Sequence, residues 1–435
     1  MNRFFRPFGL FLMISFFITR SDAQVFQDGK LYLNEEGDEY VKFTLLNQVW
    51  LRHADYNPGS AIFNYSENGG FDMGIRRFRL QFMAKLSERV FLYSQFGMNN
   101  FSFLSERKAD FFVHDALGEY ALIKDKLSFG AGLTAWNNYS RFSAPSIGSI
   151  LGVVTPLYQQ ATGDVTYQFI RRLTVYAKGI LGKVDYHISL AKPMAIQNAS
   201  GWDDTIGPEA NFSGKPPKLQ TTFYTRYQFA ENESMLTPFS AGTYLGNKEV
   251  FNIGFGFIHQ KDAMWYSESN ATDTLEADML HIAVDIYYDK PIGEGGQALS
   301  LYGNYTRFDF GPDYIRNQGV MNPANGTTNT GLINGPGNSF PALGTGSVIY
   351  VQGGYKFRDD LMGTNTLMPY ASVQYANYDR LNDSMVYTDI GLNWLIDGHH
   401  SKFTLAYRSR PLFDLEGNYT GRRGAAILQY QVYFY

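Results

Sequence analysis

Cysteine is absent from all 435 residues. For an exported chain of this size, that removes disulfide staples, thiol catalysis and thiolate metal sites together. Beyond the first residues there is also no apolar run of about 18 residues, the length a helix needs to cross a bilayer, so helical spans are excluded. An excess of positive charge is missing too. Lys and Arg number 37 against 41 Asp and Glu, a net charge of −4, and nothing points to nucleic acid.

What the chain does have is alternation. Val41, Phe43, Leu45, Val49 and Leu51 interleave with Lys42, Thr44, Gln48 and Arg52. Phe78, Leu80 and Phe82 interleave with Arg77, Arg79 and Gln81, and the chain closes on Ala426, Leu428, Tyr430, Val432 and Phe434 around Gln429 and Gln431. Period-two alternation marks strands with one apolar and one wet face. Aromatic residues make up 16% of the chain, with 31 Tyr and 35 Phe, an excess that interfacial girdles of a membrane barrel explain better than a soluble core does.

The start reads as an export leader. Arg3 and Arg6 precede an apolar stretch from Phe8 to Ile18, and Ser21-Asp22-Ala23 offers the usual cleavage pattern. Residues 1–23 are therefore expected to be removed, leaving 24–435. Losing Arg3, Arg6, Arg20 and Asp22 leaves 34 basic against 40 acidic residues, a charge of −6.

Strands are expected at 40–52, 71–86, 90–104, 111–123, 127–137, 165–181, 184–192 and 218–230. The second half continues with 249–260, 278–289, 297–308, 346–358, 367–377, 384–396, 401–410 and 422–434. The fold class is all-β: a transmembrane antiparallel barrel of about 16 strands, an even number as bacterial single-chain barrels have. Short links at 86–89, 124–126, 181–183 and 397–400 alternate with long ones at 53–70, 138–164, 193–217, 261–277 and 309–345. The short set is assigned to the periplasm. The 231–248 link breaks the rule by being long on the short side. The 309–345 segment, rich in Gly, Asn, Pro and Thr, reads as a flexible outer cover.

The 138–164 segment is too apolar for a loop in water. It carries Ile147, Ile150, Leu151, Val153, Val154 and Leu157, each forfeiting roughly 1.5–3 kcal/mol if left exposed. It is expected to fold inward and narrow the pore; the alternative is packing on other loops or a neighbouring subunit.

Parity then assigns charges to the lumen, because charge on the lipid face costs about 2–4 kcal/mol. The basic set is Arg52, Arg77, Arg79, Lys85, Lys178, Arg226, Lys356, Lys402, Arg408, Arg410 and Arg423. The acidic set is Asp185, Asp285 and Asp389, joined by Asp115 and Glu119. Arg77 and Arg79 share a face, and Arg141 on the folded-in segment is placed to oppose them. Arg52, Arg77, Arg79, Arg141, Arg226 and Arg408 are the candidate selectivity residues. Either they favour anions, or they pair with lumen carboxylates and brace the wall. No enzyme, metal or cofactor signature is seen. His281 and Asp285 share a face and His187 lies near Asp185, without the Ser–His pair a hydrolase needs. His399-His400 reads as solvated in a turn. Gly254 and Gly256 fall on inward positions, where small residues keep the lumen open or admit the inserted segment.

The stretch Phe71-Asp72-Met73-Gly74-Ile75-Arg76-Arg77-Phe78-Arg79-Leu80, continuing through Phe91-Leu92-Tyr93-Ser94-Gln95-Phe96-Gly97, resembles outer-membrane porins of Bacteroidota-type bacteria. The broader relatives are the phosphate-selective porins O and P. The Arg141-to-Pro156 segment looks like their inserted loop, and Tyr433-Phe434-Tyr435 resembles a barrel assembly signal. The resemblance implies a sixteen-stranded, trimeric diffusion channel of the bacterial outer membrane, with outer-membrane lipid around it. Two departures stand out: the second external loop, near 105–110, is short, and no lysine cluster marks a phosphate site. The expected function is passive diffusion of small hydrophilic solutes and ions with a modest anion preference. A substrate-specific channel for phosphate, oligosaccharide or carboxylate is the alternative, ahead of a non-transport barrel acting as scaffold, adhesin or lipid hydrolase.

Overall fold

A computed structural model describes residues 26–27, 29–167, 169–196, 206–268, 274–328 and 331–434; the expected leader, 1–23, lies outside them. Among the described residues the alternating segments form sixteen long strands, each antiparallel to its neighbour. They are β1 (Tyr40–Asp55), β2 (Gly69–Lys85), β3 (Val90–Ser102), β4 (Phe112–Ile123), β5 (Leu127–Thr134), β6 (Arg172–Leu181), β7 (Val184–Lys192) and β8 (Gln220–Gln228). Then come β9 (Val250–Tyr266), β10 (Leu275–Ile292), β11 (Gln297–Asp309), β12 (Gly346–Lys356), β13 (Thr366–Tyr378), β14 (Met385–Asp397), β15 (Ser401–Phe413) and β16 (Tyr419–Phe434). β16 returns to β1, pairing from Ala425–Ala54 to Phe434–Leu45, so the sheet is a closed barrel.

The parity of the sequence becomes the two faces of the wall. Leu280, Ile282, Val284 and Ile286 of β10 point out and are exposed, while His281, Ala283, Asp285 and Tyr287 between them are buried. In β16 Leu428, Tyr430, Val432 and Phe434 are exposed, and Gln429 and Gln431 are buried. Apolar outside and polar inside inverts a soluble protein, and suits a wall between lipid and water.

Three segments depart from expectation. Residues 165–167 and 169–171 are not strand: Phe169 and Ile170 have φ of 48° and 67°, outside the extended region, and Ile170 packs on Ala135, Ala144 and Tyr167 inside the barrel. β9 and β10 run on beyond the membrane-length core, with a register shift between Gln260 and Met264 where Asp262 turns to φ 49°. The 309–345 segment is an anchored cap. Ile315–Gln318 pairs with Phe340–Gly344, all of the latter buried, and Gly326–Thr327 pairs with Ser60–Ile62. Asn57 Nδ2 donates to the Ser339 carbonyl at 2.8 Å and Arg52 Nη1 to that of Val320 at 3.1 Å. Phe340 and Leu343 drive this, since both find an apolar home beneath the cap.

Candidate functional site in the lumen

The inserted segment after β5 crosses the barrel interior. Ile150, Leu151, Val153 and Val154 are buried, and Leu151 and Val153 belong to a cluster with Met368, Tyr370, Leu395 and Ile427 of the far wall. Inward side chains hold its backbone: Gln48 on Ile147 O (3.2 Å), Gln431 on Gly148 O, Lys402 on Ile150 O and Asn393 on Leu151 O, the last three at 2.8–2.9 Å. Gly256 is what admits it. A Cβ there would stand 2.2 Å from the Tyr139 carbonyl oxygen.

A second segment enters from the short-turn end. Residues 229–249, the long link on the wrong side, rise into the lumen as a strap and meet the inserted segment backbone to backbone. Ser146 N donates to Ser240 O at 2.7 Å, Ser240 N to Ala144 O at 2.9 Å and Thr243 N to Ser149 O at 3.1 Å. Gly242 fits against Ile150 only because it lacks a Cβ, which would lie 2.5 Å from the Ile150 Cα. His399 is not solvated. It is buried and its Nε2 sits 3.0 Å from the Thr243 carbonyl. Burial, with Lys402 beside it, pushes the imidazole down to about 3, so it is neutral near pH 7.

Glu233 fixes the strap. Its carboxylate takes both Arg141 Nη groups at 2.8 and 2.7 Å, Arg226 Nη1 at 2.8 Å and the Tyr244 hydroxyl at 2.7 Å. Burial alone pushes this carboxyl up, but Arg141 and Arg226 outweigh it and hold it well below the ordinary range. Arg141 is fully buried in this clamp and does not line the cavity beside Arg77 and Arg79, so the opposed arrangement expected from sequence does not occur. Arg226 also pairs with Asp185, Arg52 with Asp72, and Arg408 with Asp389. These four brace the wall. Among the described residues no group of three His, Asp or Glu is placed to hold a metal ion.

Arg77 and Arg79 behave differently. Arg77 Nη1 donates to Gln48 Oε1 at 2.8 Å, and Arg79 Nη1 to the carbonyls of Phe78 and Met98, with Nη2 on Asn99. Arg76 joins them, which parity alone does not allow. A bulge makes room: Gln48 pairs with Arg77 and Val49 with Ile75, leaving Arg76 as an extra residue that turns inward to Asn100 Oδ1 at 2.7 Å. The signal was in the sequence, since three arginines in four positions force either a bulge or a charge in lipid. All three are buried, and among the described residues none has a carboxylate within salt-bridge distance.

These guanidinium groups line the largest of five cavities seen among the described residues. It holds about 440 Å³ between β2, the inserted segment, the strap and the cap, with Arg171 and Arg316 also in its wall. Asp164 is the one carboxylate there, and burial raises it above the ordinary Asp value against the pull of Arg316 and Arg76. A second cavity of about 130 Å³ shares Ser146, Thr237 and Phe239 with the first. A third, about 380 Å³, shares Ser234 and Met235 with the second and opens among the turn residues Ser87, Glu88 and Lys124. The three share lining residues in succession, from beneath the cap, past β7 and β8, to the short-turn end.

No protein-family model matches the chain, and no curated protein matches it in sequence. Solved structures match its fold. OprB of Pseudomonas putida, in its high-pH structure, aligns over 91% of this chain and 94% of its own at 9% identity, with a TM-score of 0.53. The outer membrane channel DcaP of Acinetobacter baumannii aligns over 93% and 99% at 11% identity, TM-score 0.50. OmpF of Salmonella typhi, solved with daunomycin, aligns over 92% and 99% at 12% identity, TM-score 0.50. The architecture is thus that of outer-membrane porin barrels.

Proposed function

We propose that the chain is an outer-membrane channel for small hydrophilic solutes, selective for anions. One observation carries this reading: an apolar outer wall surrounds a chain of cavities whose widest part is lined by Arg76, Arg77 and Arg79 without carboxylate partners. A positive wall concentrates anions and repels cations. The export leader and the porin-like fold support placement in the bacterial outer membrane, and sequencing of the mature N-terminus tests cleavage after Ala23. The residues at Phe71–Leu80 support kinship with Bacteroidota-type porins. Assembly as a homotrimer follows from that kinship and is tested by native mass measurement in detergent.

The filling of the lumen favours the substrate-specific form of this reading over an open diffusion pore. Strap, inserted segment and cap together bury most of the interior, leaving a middle cavity of only about 130 Å³. Planar-bilayer recording across a KCl gradient tests the whole reading. Conductance with a chloride-favouring reversal potential is expected; silence across many insertions would instead mark a non-transport barrel.

A further inference from the structure

The largest cavity has two kinds of wall, and together they describe what fits it. On the β2 side stand three guanidinium groups, each more than nine-tenths buried. Arg76 Nε, Arg79 Nε and Asn99 Nδ2 are buried donors with no hydrogen-bond partner among the described residues. Buried donors are nearly always satisfied, and buried cations nearly always paired. Arg76, Arg77 and Arg79 thus bring three buried guanidinium groups, without a carboxylate at salt-bridge distance among the described residues, into the wall of one cavity, a charge that an anion from outside the chain would balance. Ile147 of the inserted segment, Phe169 and Ile170 before β6 and Phe239 of the strap also line it, with Met83 of β2 beside the arginines, an apolar surface with nothing to offer a hydrated inorganic ion. The space, about 440 Å³, is far larger than a bare oxyanion needs and falls in the range of small-molecule sites. Asp164 is the one carboxylate in the wall, against Arg76, Arg77 and Arg79 on β2 and Arg171 and Arg316 elsewhere, so the cavity is cationic.

We propose that this cavity is a binding site for an organic anion, its carboxylate held by Arg76, Arg77 and Arg79 and its apolar body lying against Met83, Ile147 and Phe239. The proposal rests on the channel reading and names the class of solute it serves. Arginine suits the role because its planar fork takes a carboxylate in two parallel hydrogen bonds. Phe239 belongs to the strap, so the site is closed from below by the element that also divides the upper cavity from the middle one.

The test uses the full mature chain in detergent and four probes: benzoate, acetate, inorganic phosphate and neutral benzyl alcohol. Calorimetric titration is expected to show saturable benzoate binding at least tenfold tighter than that of the other three. Arg79→Gln should weaken benzoate at least fivefold, with Arg79→Lys recovering part of it. Phe239→Ala should weaken benzoate while leaving acetate unchanged, and heat-modifiable migration on gels confirms that each variant is folded. Acetate or phosphate binding as well as benzoate would overturn the apolar half of the site, and equal binding of benzyl alcohol the anionic half. The same benzoate series is run on single channels in KCl. Channels that conduct but neither bind nor are blocked by benzoate overturn the site and leave the channel reading standing. Benzoate binding by a protein that never conducts supports the site and removes the channel.

Discussion

Arg141 and Glu233 lie 92 residues apart and meet as a two-pronged pair, Nη1 to Oε2 at 2.8 Å and Nη2 to Oε1 at 2.7 Å. One residue belongs to the segment inserted from the long-loop end and the other to the strap rising from the short-turn end. Tyr287 lies flat beneath the guanidinium, its ring centre 3.3 Å away, and Arg226 ties the same carboxylate to the wall. The two insertions therefore act as one partition with a single charged rivet.

Glu233→Gln should release that partition. Breaking one partner out of a buried ion network costs about 3–5 kcal/mol. The expected outcome is a lower unfolding temperature together with larger, noisier single-channel conductance, because the strap no longer fills the lumen. Unchanged conductance would mean the strap stays in place without its clamp.

The clamp also predicts an acid response. A carboxyl held below its ordinary value adds stability that is complete above the unfolded-state pKa, about 4.3 for Glu, and fades as pH falls toward the folded-state value. Thermal stability of the wild type should therefore decline on the acid side of that value, and the Glu233→Gln variant should lack this component of the decline. A parallel loss in both proteins would assign the effect to other carboxylates.

Asp164 titrates in the opposite sense. Burial raises its pKa, so it protonates at a higher pH than a free Asp, removing the one negative charge facing Arg316 and Arg76 in the upper cavity. Chloride preference, read from the reversal potential, should rise on mild acidification. Asp164→Asn should start at the higher value and stay flat over the same range.

Arg77→Gln and Arg79→Gln should each move the reversal potential toward cations, and the double variant further. Arg52→Gln should move it far less, since Asp72 already balances that charge. It should cost stability instead, about 3–5 kcal/mol for a broken buried pair. Equal shifts from Arg52 and Arg79 would contradict the division between bracing and cavity-lining arginines.

Gly256→Val tests the seat of the inserted segment. Its Cβ would meet the Tyr139 carbonyl oxygen at 2.2 Å and the Phe223 carbonyl oxygen at 2.7 Å, backbone atoms with little freedom to retreat. Overpacking of this kind costs typically about 1–3 kcal/mol. Reduced heat resistance of the folded band is expected, whereas Gly207→Val, where a Cβ meets nothing within 4 Å and the backbone is outside the left-handed region, should leave it unchanged.

The barrel was legible because its rule is strictly local. A residue two places along shares a face, so Leu280, Ile282 and Val284 announce lipid without reference to any distant partner. The inward fold of 138–164 was legible from composition, as Ile150, Leu151 and Val153 have no business in water. The partners of the arginines were not, because Arg141 and Glu233 meet across the lumen rather than along a strand. Arg76 escaped because a bulge resets parity, so that assignments counted from Arg77 and Arg79 reverse for the residues before it on that strand. The strap left a trace only as a link of the wrong length, 231–248. Its composition does carry Met235, Leu236, Phe239, Tyr244 and Leu245, but scattered among Glu231, Glu233, Lys248, Ser, Thr and Gly rather than run together as in 147–157.

The seam between β1 and β16 bears on biogenesis. Trp50 and Gln429, 379 residues apart, share a hydrogen bond of 2.8 Å across it, and the backbone ladder beside them runs from Ala54 to Leu45. Until that ladder forms, two edges of unpaired amides face a medium that cannot hydrate them. A chain shortened before Gly424 would lose every one of these pairings and leave the β1 edge open to lipid.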